Sequence, residues 1–339
     1  MQLNIRDSLN FASKLSIKRS LNLSKVYASY FVSKWRKKGT HWGFPFAMAI
    51  EPTTSCNLRC PECPSGLRAF SRPTGMLEPD SFKKIIDQVK DSLIYLTFYF
   101  QGEPYLNPHF FDLVKYATDR KIYTATSTNA HFLTPQNAEK TINSGLDRLI
   151  ISIDGTTQEV YQQYRIGGRL KKVLEGTRNI VEAKRKAGKG PHIIFQFLVV
   201  RPNEHQIEEV NTIAKEYGVD EVKFKTAQVY EYKNGNPLIP TIDKYSRYSK
   251  QANGRFEIKN NLSNQCWKMW HSCVVTWDGN VVPCCFDKDA LHPMGDLKVM
   301  SFKDVWQGHT YKGFRDKVLL SRSQIDICKN CTEGTKVWA

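Results

Sequence analysis

From about Ala47 onward, short apolar runs alternate with segments whose apolar residues recur every three or four positions, the periods of a strand and of an amphipathic helix. Residues 47–53 read as a strand that runs into a cysteine-bearing loop. Glu78-Pro79-Asp80 then starts a helix with Phe82, Ile85, Ile86 and Val89 on one face. Ile94–Phe100, aromatic and β-branched, reads as a buried strand that ends at Gly102-Glu103-Pro104. A helix over 108–120, a strand over Ile122–Ser127, a helix over Thr134–Ser144 and a strand over Leu149–Ile153 follow. Next come a long helix over Leu170–Ala187, bearing Val173, Leu174, Ile180 and Val181, and a fifth strand over His192–Val200. Asn203 stands where it would cap a helix carrying Ile207, Val210 and Ile213, with Gln206 at the capping-box position, and Val222–Lys225 is a sixth strand. Six strands each followed by a helix require a parallel sheet, because parallel neighbours need crossover connections of this length.

The first 40 residues follow a different pattern. Leu9, Phe11, Leu15, Ile17, Leu21, Leu23, Val26, Tyr27, Tyr30, Phe31 and Trp35 are interleaved with nine basic residues and one acidic one, Asp7. This short stretch therefore holds half of the formal net charge of +16. One or two basic amphipathic helices are expected there. No apolar run is long enough to span a bilayer or to form a signal-peptide core. The leader, residues 1–40 in particular, either lies on an anionic membrane surface at the inner face or packs on the body with its lysines solvated. No RNA-binding module is recognisable, which argues against a nucleic-acid partner.

Composition adds one decisive feature. The nine cysteines fall into two groups: Cys56, Cys60 and Cys63, then Cys266, Cys273, Cys284, Cys285, Cys328 and Cys331, with none between Cys63 and Cys266. Such segregation, with no secretory signal visible, predicts two metal centres in a reducing cytoplasm. The first group has C-x3-C-x2-C spacing. Three thiolates in one short loop leave one iron of a cubane cluster without a protein ligand, open to a small molecule. A structural zinc site usually wants four ligands, and the next histidine, His109, is far along the chain.

The wording Cys56-Asn57-Leu58-Arg59-Cys60-Pro61-Glu62-Cys63 resembles the signature of the radical S-adenosylmethionine (radical SAM) enzymes. That resemblance implies a partial (β/α)6 TIM-like barrel and a 4Fe-4S cluster whose open iron is chelated by the methionine amino and carboxylate groups. It further implies reductive cleavage to a 5′-deoxyadenosyl radical that abstracts hydrogen from a substrate. On the same footing Gly102 and Glu103 match the Gly-Glu-Pro motif that holds the methionine amino group. Thr128 and Asn129, followed by Ala130 in place of glycine, match the segment after the third strand. Ser152 and Asp154 end the fourth strand, where cofactor contacts are common, and Arg165 is a candidate for the cofactor carboxylate. Read without the resemblance, Gly-Glu-Pro is an ordinary turn and Ser-x-Asp an ordinary strand end. Glu62 stands where many members carry an aromatic residue against the adenine.

The carboxyl-terminal group resembles the SPASM or twitch extension of these enzymes. The expected ligands of an auxiliary 4Fe-4S cluster are Cys266, Cys284, Cys328 and Cys331, with Cys273 and Cys285 as the doubtful pair and Cys273 able to replace Cys266. A hairpin turning at Asp278-Gly279 would place Cys266 or Cys273 on one strand and Cys284 on the other. A zinc ribbon on the same sulfurs is the competing reading. The chain thus divides into a leader (1–45), a radical SAM partial barrel (46–235) and a SPASM/twitch domain (255–335). The expected partners are a flavodoxin or ferredoxin as electron donor and a peptide, lipid-linked or small-molecule substrate that undergoes oxidation or crosslinking. The alternative is a non-catalytic iron–sulfur or zinc protein for electron transfer or partner binding.

Overall fold

The computed structural model describes residues 5–332, so residues 1–4 of the expected leader and 333–335 of the expected carboxyl-terminal domain lie outside the described residues. Two leader helices, α1 (Ile5–Ala12) and α2 (Ile17–Arg36), precede β1 (Ala47–Ile50). After the cysteine loop and the short α3 (Pro64–Leu67), the chain alternates through α4 (Pro79–Val89), β2 (Tyr95–Thr97), α5 (Phe110–Asp119), β3 (Tyr123–Thr128), α6 (Pro135–Asn143) and β4 (Arg148–Ser152). It continues through α7 (Gln158–Tyr164), α8 (Leu170–Ala187), β5 (His192–Val199), α9 (Ile207–Tyr217) and β6 (Glu221–Thr226). Strands β1 to β6 pair in chain order and in parallel. Their carboxyl ends, and so the loops that follow them, lie along one rim.

Local chemistry explains most of these boundaries. Pro79 and Pro135 open α4 and α6 at positions that lack a helical N–H partner, and the Thr134 hydroxyl accepts from Asn137 N–H to cap α6. Phe82, Ile85, Ile86 and Val89 are buried on one face of α4, as their spacing predicts. Two expectations fail. Asn203 and Gln206 form no capping box: Asn203 is fully buried, its Nδ2 donating to Asp154 O and Leu198 O, while the Gln206 carboxamide accepts from Thr156 N–H. Tertiary partners took both side chains before the helix end could use them. Nor does a helix follow β6, where a long connection leads to a two-stranded ribbon of β7 (Tyr248–Lys250) and β8 (Phe256–Ile258).

After the short α10 (Lys268–His271), the carboxyl-terminal region builds a hairpin of β9 (Ser272–Val275) and β10 (Asn280–Val282), joined by β11 (Gly295–Asp296). Here β9 pairs in parallel with β1 on the side away from β2, so the full order is β11-β10-β9-β1-β2-β3-β4-β5-β6. The late cysteines are thereby brought to the strand that feeds the early ones. Helices α11 (Phe302–Gln307) and α12 (His309–Ser321) close the domain over Trp306, Tyr311 and Phe314.

The leader packs on the body through polar contacts at the opposite end of the sheet. Asp7 accepts from Tyr123 and Arg148, the first residues of β3 and β4, and Lys14 and Asn10 both reach Asp147, at 3.0 and 2.8 Å. Among the described residues no helix is long and apolar enough to cross a membrane.

Candidate active site and cysteine centres

The loop after β1 is held in shape before any ligand binds. Fully buried Glu51 forms a two-pronged ion pair with Arg72, at 2.6 and 2.8 Å, and also accepts from Trp277 N–H of the carboxyl-terminal hairpin at 3.3 Å. Burial pushes the Glu51 carboxyl up even with Arg72 opposing it. The Ser65 hydroxyl donates to Thr54 O at 3.0 Å and accepts from Gly102 N–H at 2.9 Å, and Glu103 N–H donates to Ser55 O at 2.8 Å. Gly102 has φ +76°, and a Cβ there would lie 2.2 Å from Thr53 O. The glycine is thus required by the approach of two protein loops.

Cys56, Cys60 and Cys63 line one cavity of about 230 Å³ at the carboxyl rim of the sheet. Burial drives the Cys56 thiol up to about 11, with Glu103 and the other two sulfurs adding to the effect. Cys60 is raised chiefly by burial, against the pull of Arg165, whose Nη1 lies 3.7 Å from its sulfur. Leu58 N–H points at the Cys56 sulfur at 3.5 Å. Three sulfurs on one cavity, two of them faced by donors and with their negative forms mutually opposed, suit a site where a metal supplies the missing positive charge, although among the described residues the three are not drawn together as a preformed metal site.

Gly102, Glu103, Thr128, Asn129 and Ser152 line the same cavity. Glu103 is buried and, among the described residues, accepts from neutral donors: Thr128 Oγ1 at 2.7 Å, Asn129 N–H at 2.8 Å and Tyr105 N–H at 3.4 Å. Burial outweighs these bonds and raises its carboxyl to about 7. A carboxylate so placed is stabilised by an incoming ammonium group. Asn129 also donates to Asn57 Oδ1 at 2.8 Å, tying the end of β3 to the cysteine loop, and the Ser127 and Ser152 hydroxyls face each other at 3.5 Å. Asp154 does not line the cavity. It is paired with Arg165 and accepts from Leu198 N–H at 2.7 Å, so it acts on the site by holding Arg165. Ala130 has φ +62°, the left-handed geometry that a glycine would adopt freely.

Some lining residues escaped sequence reasoning. Ser65 braces the loop, Gln101 lies 3.8 Å from the Cys63 sulfur, and Lys288 reaches the cavity from the carboxyl-terminal region. Ser65 could have been flagged as the second residue after Cys63. Nothing local marks Lys288, whose place depends on the pairing of β9 with β1.

In the second centre Cys266, Cys284, Cys328 and Cys331 are near enough to influence one another. Cys284 is raised well above its ordinary value by burial, then by Cys285, Cys266 and Cys328. Cys328 is raised to about 12 by burial, against buried Arg322, with Cys331 and Cys266 adding. Arg322 Nη2 donates to the Cys331 sulfur at 3.3 Å and Phe286 N–H to the Cys284 sulfur at 3.4 Å. Cys273 stands apart, whereas Cys285 acts on the adjacent Cys284 more than any other sulfur does but also meets other partners. Cys273 lies on β9 in the apolar core, close to Tyr311 and Arg315. Cys285 faces Lys268 Nζ at 3.6 Å, on the side toward Tyr99 and Lys288. Cys266 precedes α10 and is not on the hairpin, because that helix turn intervenes before β9.

Comparison with known proteins matches this layout. The sequence model of the Radical SAM superfamily covers residues 50–223, and that of the SPASM iron–sulfur cluster-binding domain covers residues 266–332. The PqqA peptide cyclase of Bradyrhizobium diazoefficiens is 24% identical over 302 residues, spanning 82% of this chain and 75% of that protein. The AdoMet-dependent heme synthase of Methanosarcina barkeri is 33% identical over 177 residues, and the mycofactocin maturase MftC of Mycobacterium tuberculosis 30% over 174. The match spans about half the length of these two, 48% and 43%. Among solved structures, Streptococcus suis SuiB bound to S-adenosylmethionine aligns with TM-score 0.64 at 17% identity, over 90% of this chain and 75% of that one. Native anSMEcpe with bound AdoMet aligns with TM-score 0.60 at 18% identity, over 86% and 92%.

Proposed function

The chain belongs to the radical SAM superfamily and carries a SPASM iron–sulfur domain, and from that premise we propose that it cleaves S-adenosylmethionine reductively and abstracts hydrogen from a peptide, leading to oxidation or crosslinking. Bound clusters and S-adenosylmethionine would supply the electron and the radical; the chain's part is to bind, orient and exclude water. Cys56, Cys60 and Cys63 would hold the cluster with the open iron. Glu103, fixed by Thr128 and Asn129, would accept from the methionine ammonium, and Ser152 together with Arg165, set by Asp154, would face the rest of the cofactor. Cys266, Cys284, Cys328 and Cys331 would hold the auxiliary cluster as a closed set, leaving Cys273 and Cys285 as thiols.

A single observation carries this reading: a buried carboxylate that forms no ion pair among the described residues, Glu103, opens into the same cavity as the three sulfurs, with Arg165 near enough only to lower it weakly against burial. A protein that only carries electrons has no use for such a pocket. The peptide substrate is supported by the peptide cyclase, whose likeness spans 82% of this chain. An external flavodoxin or ferredoxin would donate the electron, and residues 1–40 would touch the inner membrane face. Anaerobically reconstituted protein, given dithionite and S-adenosylmethionine, is expected to release 5′-deoxyadenosine. A fully iron-loaded protein that releases none would be an electron carrier instead.

A further inference from the structure

Helix α2 is built the wrong way round for a helix on a water-exposed surface. Such a helix ordinarily turns its apolar stripe inward and its charges outward. Here the fully buried part of the inward face is largely polar, Arg19, Ser29 and Ser33 beside Val26, with half-buried Tyr30 packing at its edge on Trp267 and Trp270. Arg19 spends its guanidinium on main-chain carbonyls, donating to Lys14 O at 2.6 Å, Lys90 O at 2.8 Å and Arg120 O at 3.0 Å. Asn22 exchanges two hydrogen bonds with Phe44, at 2.8 and 2.9 Å, and Ser33 Oγ donates to Thr40 O at 2.8 Å. The fold therefore grips α2 by its polar side.

The face turned to solvent carries Ile17, Leu21, Ala28, Phe31 and Trp35, spaced at i, i+4, i+11, i+14 and i+18 along one line of the helix that the exposed Ser24 interrupts at i+7. Ile17 is 82% exposed, Leu21 59%, Phe31 55% and Trp35 84%. Packing on the body accounts for none of this surface. Lys18, Lys25 and Arg36 fall on one flank of the stripe and Lys34 on the other, and Lys37 and Lys38 follow the helix end. Apolar residues with a terminal tryptophan, bordered by cations, match the boundary between the acyl chains and the headgroups of an anionic bilayer. A protein partner of this chemistry would have to be both apolar and acidic in one groove, whereas an anionic membrane presents both everywhere.

We propose that this outward stripe of α2 is the surface by which the enzyme sits on anionic membranes, which rests on the reading that residues 1–40 touch a membrane. The helix lies along the surface and its polar side stays bound to the protein, so docking needs no unfolding. Seating also brings the lipid surface near the second cysteine centre, because Tyr27 and Tyr30 on α2 pack on Trp267, next to Cys266, with ring centroids 4.7 and 5.0 Å apart.

Flotation of the cluster-loaded full chain tests the proposal, using phosphatidylcholine vesicles with and without phosphatidylglycerol. The chain is expected to float with the anionic vesicles alone. The variant Ile17→Ser/Leu21→Ser/Trp35→Ser is expected to partition about tenfold less or weaker still, while releasing 5′-deoxyadenosine at the unaltered rate, which shows that it is folded. Equal flotation of the variant would overturn the stripe and leave the leader's membrane contact standing. Failure of the unaltered chain to float would overturn both. A dimer of the unaltered chain that the variant dissociates in sedimentation, without vesicles, would reassign the face to a second copy and overturn the proposal.

Discussion

Replacing Glu103 by glutamine separates the cost of an empty cofactor site from its use. Burial holds this carboxyl at about 7, against an ordinary 4.5. At ~1.36 kcal/mol for each tenfold change in proton affinity, the displacement is worth roughly 3 kcal/mol. The sign follows from which state ionises first. Below about pH 4.5 both folded and unfolded chains hold the proton and nothing is lost. Between about 4.5 and 7 the unfolded chain gives it up while the folded one retains it, so stability falls as pH rises. Above 7 the whole penalty is present. Glu103→Gln keeps one acceptor oxygen, for Asn129 N–H or for Thr128 but not for both, since the two donate to different carboxylate oxygens; that loss is a constant offset with pH, and the variant has no charge to bury. In urea unfolding of cluster-loaded, cofactor-free protein, its stability relative to the unaltered chain should improve by roughly 2 kcal/mol from about pH 5.5 to pH 8. The affinity of the unaltered chain for S-adenosylmethionine should rise with pH over the same range and level off, because the ammonium favours the carboxylate. The variant should bind weakly and without that slope. A stability difference that does not change with pH, or a binding slope that survives in Glu103→Gln, would refute the reasoning.

The cysteines should sort by their surroundings: Cys273→Ala and Cys285→Ser retain the full iron content, while Cys266→Ala, Cys284→Ala, Cys328→Ala or Cys331→Ala lose about half of it, measured by iron analysis after reconstitution. Arg72→Ala strands the fully buried Glu51 carboxylate and is expected to cost about 3–5 kcal/mol in denaturant unfolding, most of which Arg72→Met with Glu51→Gln should recover. Gly102→Ala drives a methyl to 2.2 Å from Thr53 O at a backbone angle that disfavours it. It should lower thermal stability by at least ~2 kcal/mol and reduce iron loading at Cys56, Cys60 and Cys63.

Sequence by itself determined what depends on spacing along a few turns of chain. The alternation from Ala47 to Lys225 placed six parallel strands, and the C-x3-C-x2-C run set the three early sulfurs in one loop, because strand and helix periods and short-loop geometry are local properties. Glu103, Thr128, Asn129 and Ser152 were readable only through the family resemblance, and they meet in the fold because each lies at or after the end of a parallel strand, and such ends share one rim. Contacts between distant segments had no such signature. Only the folded chain shows that β9 pairs with β1 and delivers Lys288 to the cavity, or that Asp154 is committed to Arg165 and Asn203 to two carbonyls. The same holds for the leader. Its pattern of apolar and basic residues was evident, yet amphipathicity does not say which face meets the protein. That choice was made by carbonyls more than 70 residues away, which Arg19 satisfies, and it turned the apolar stripe outward.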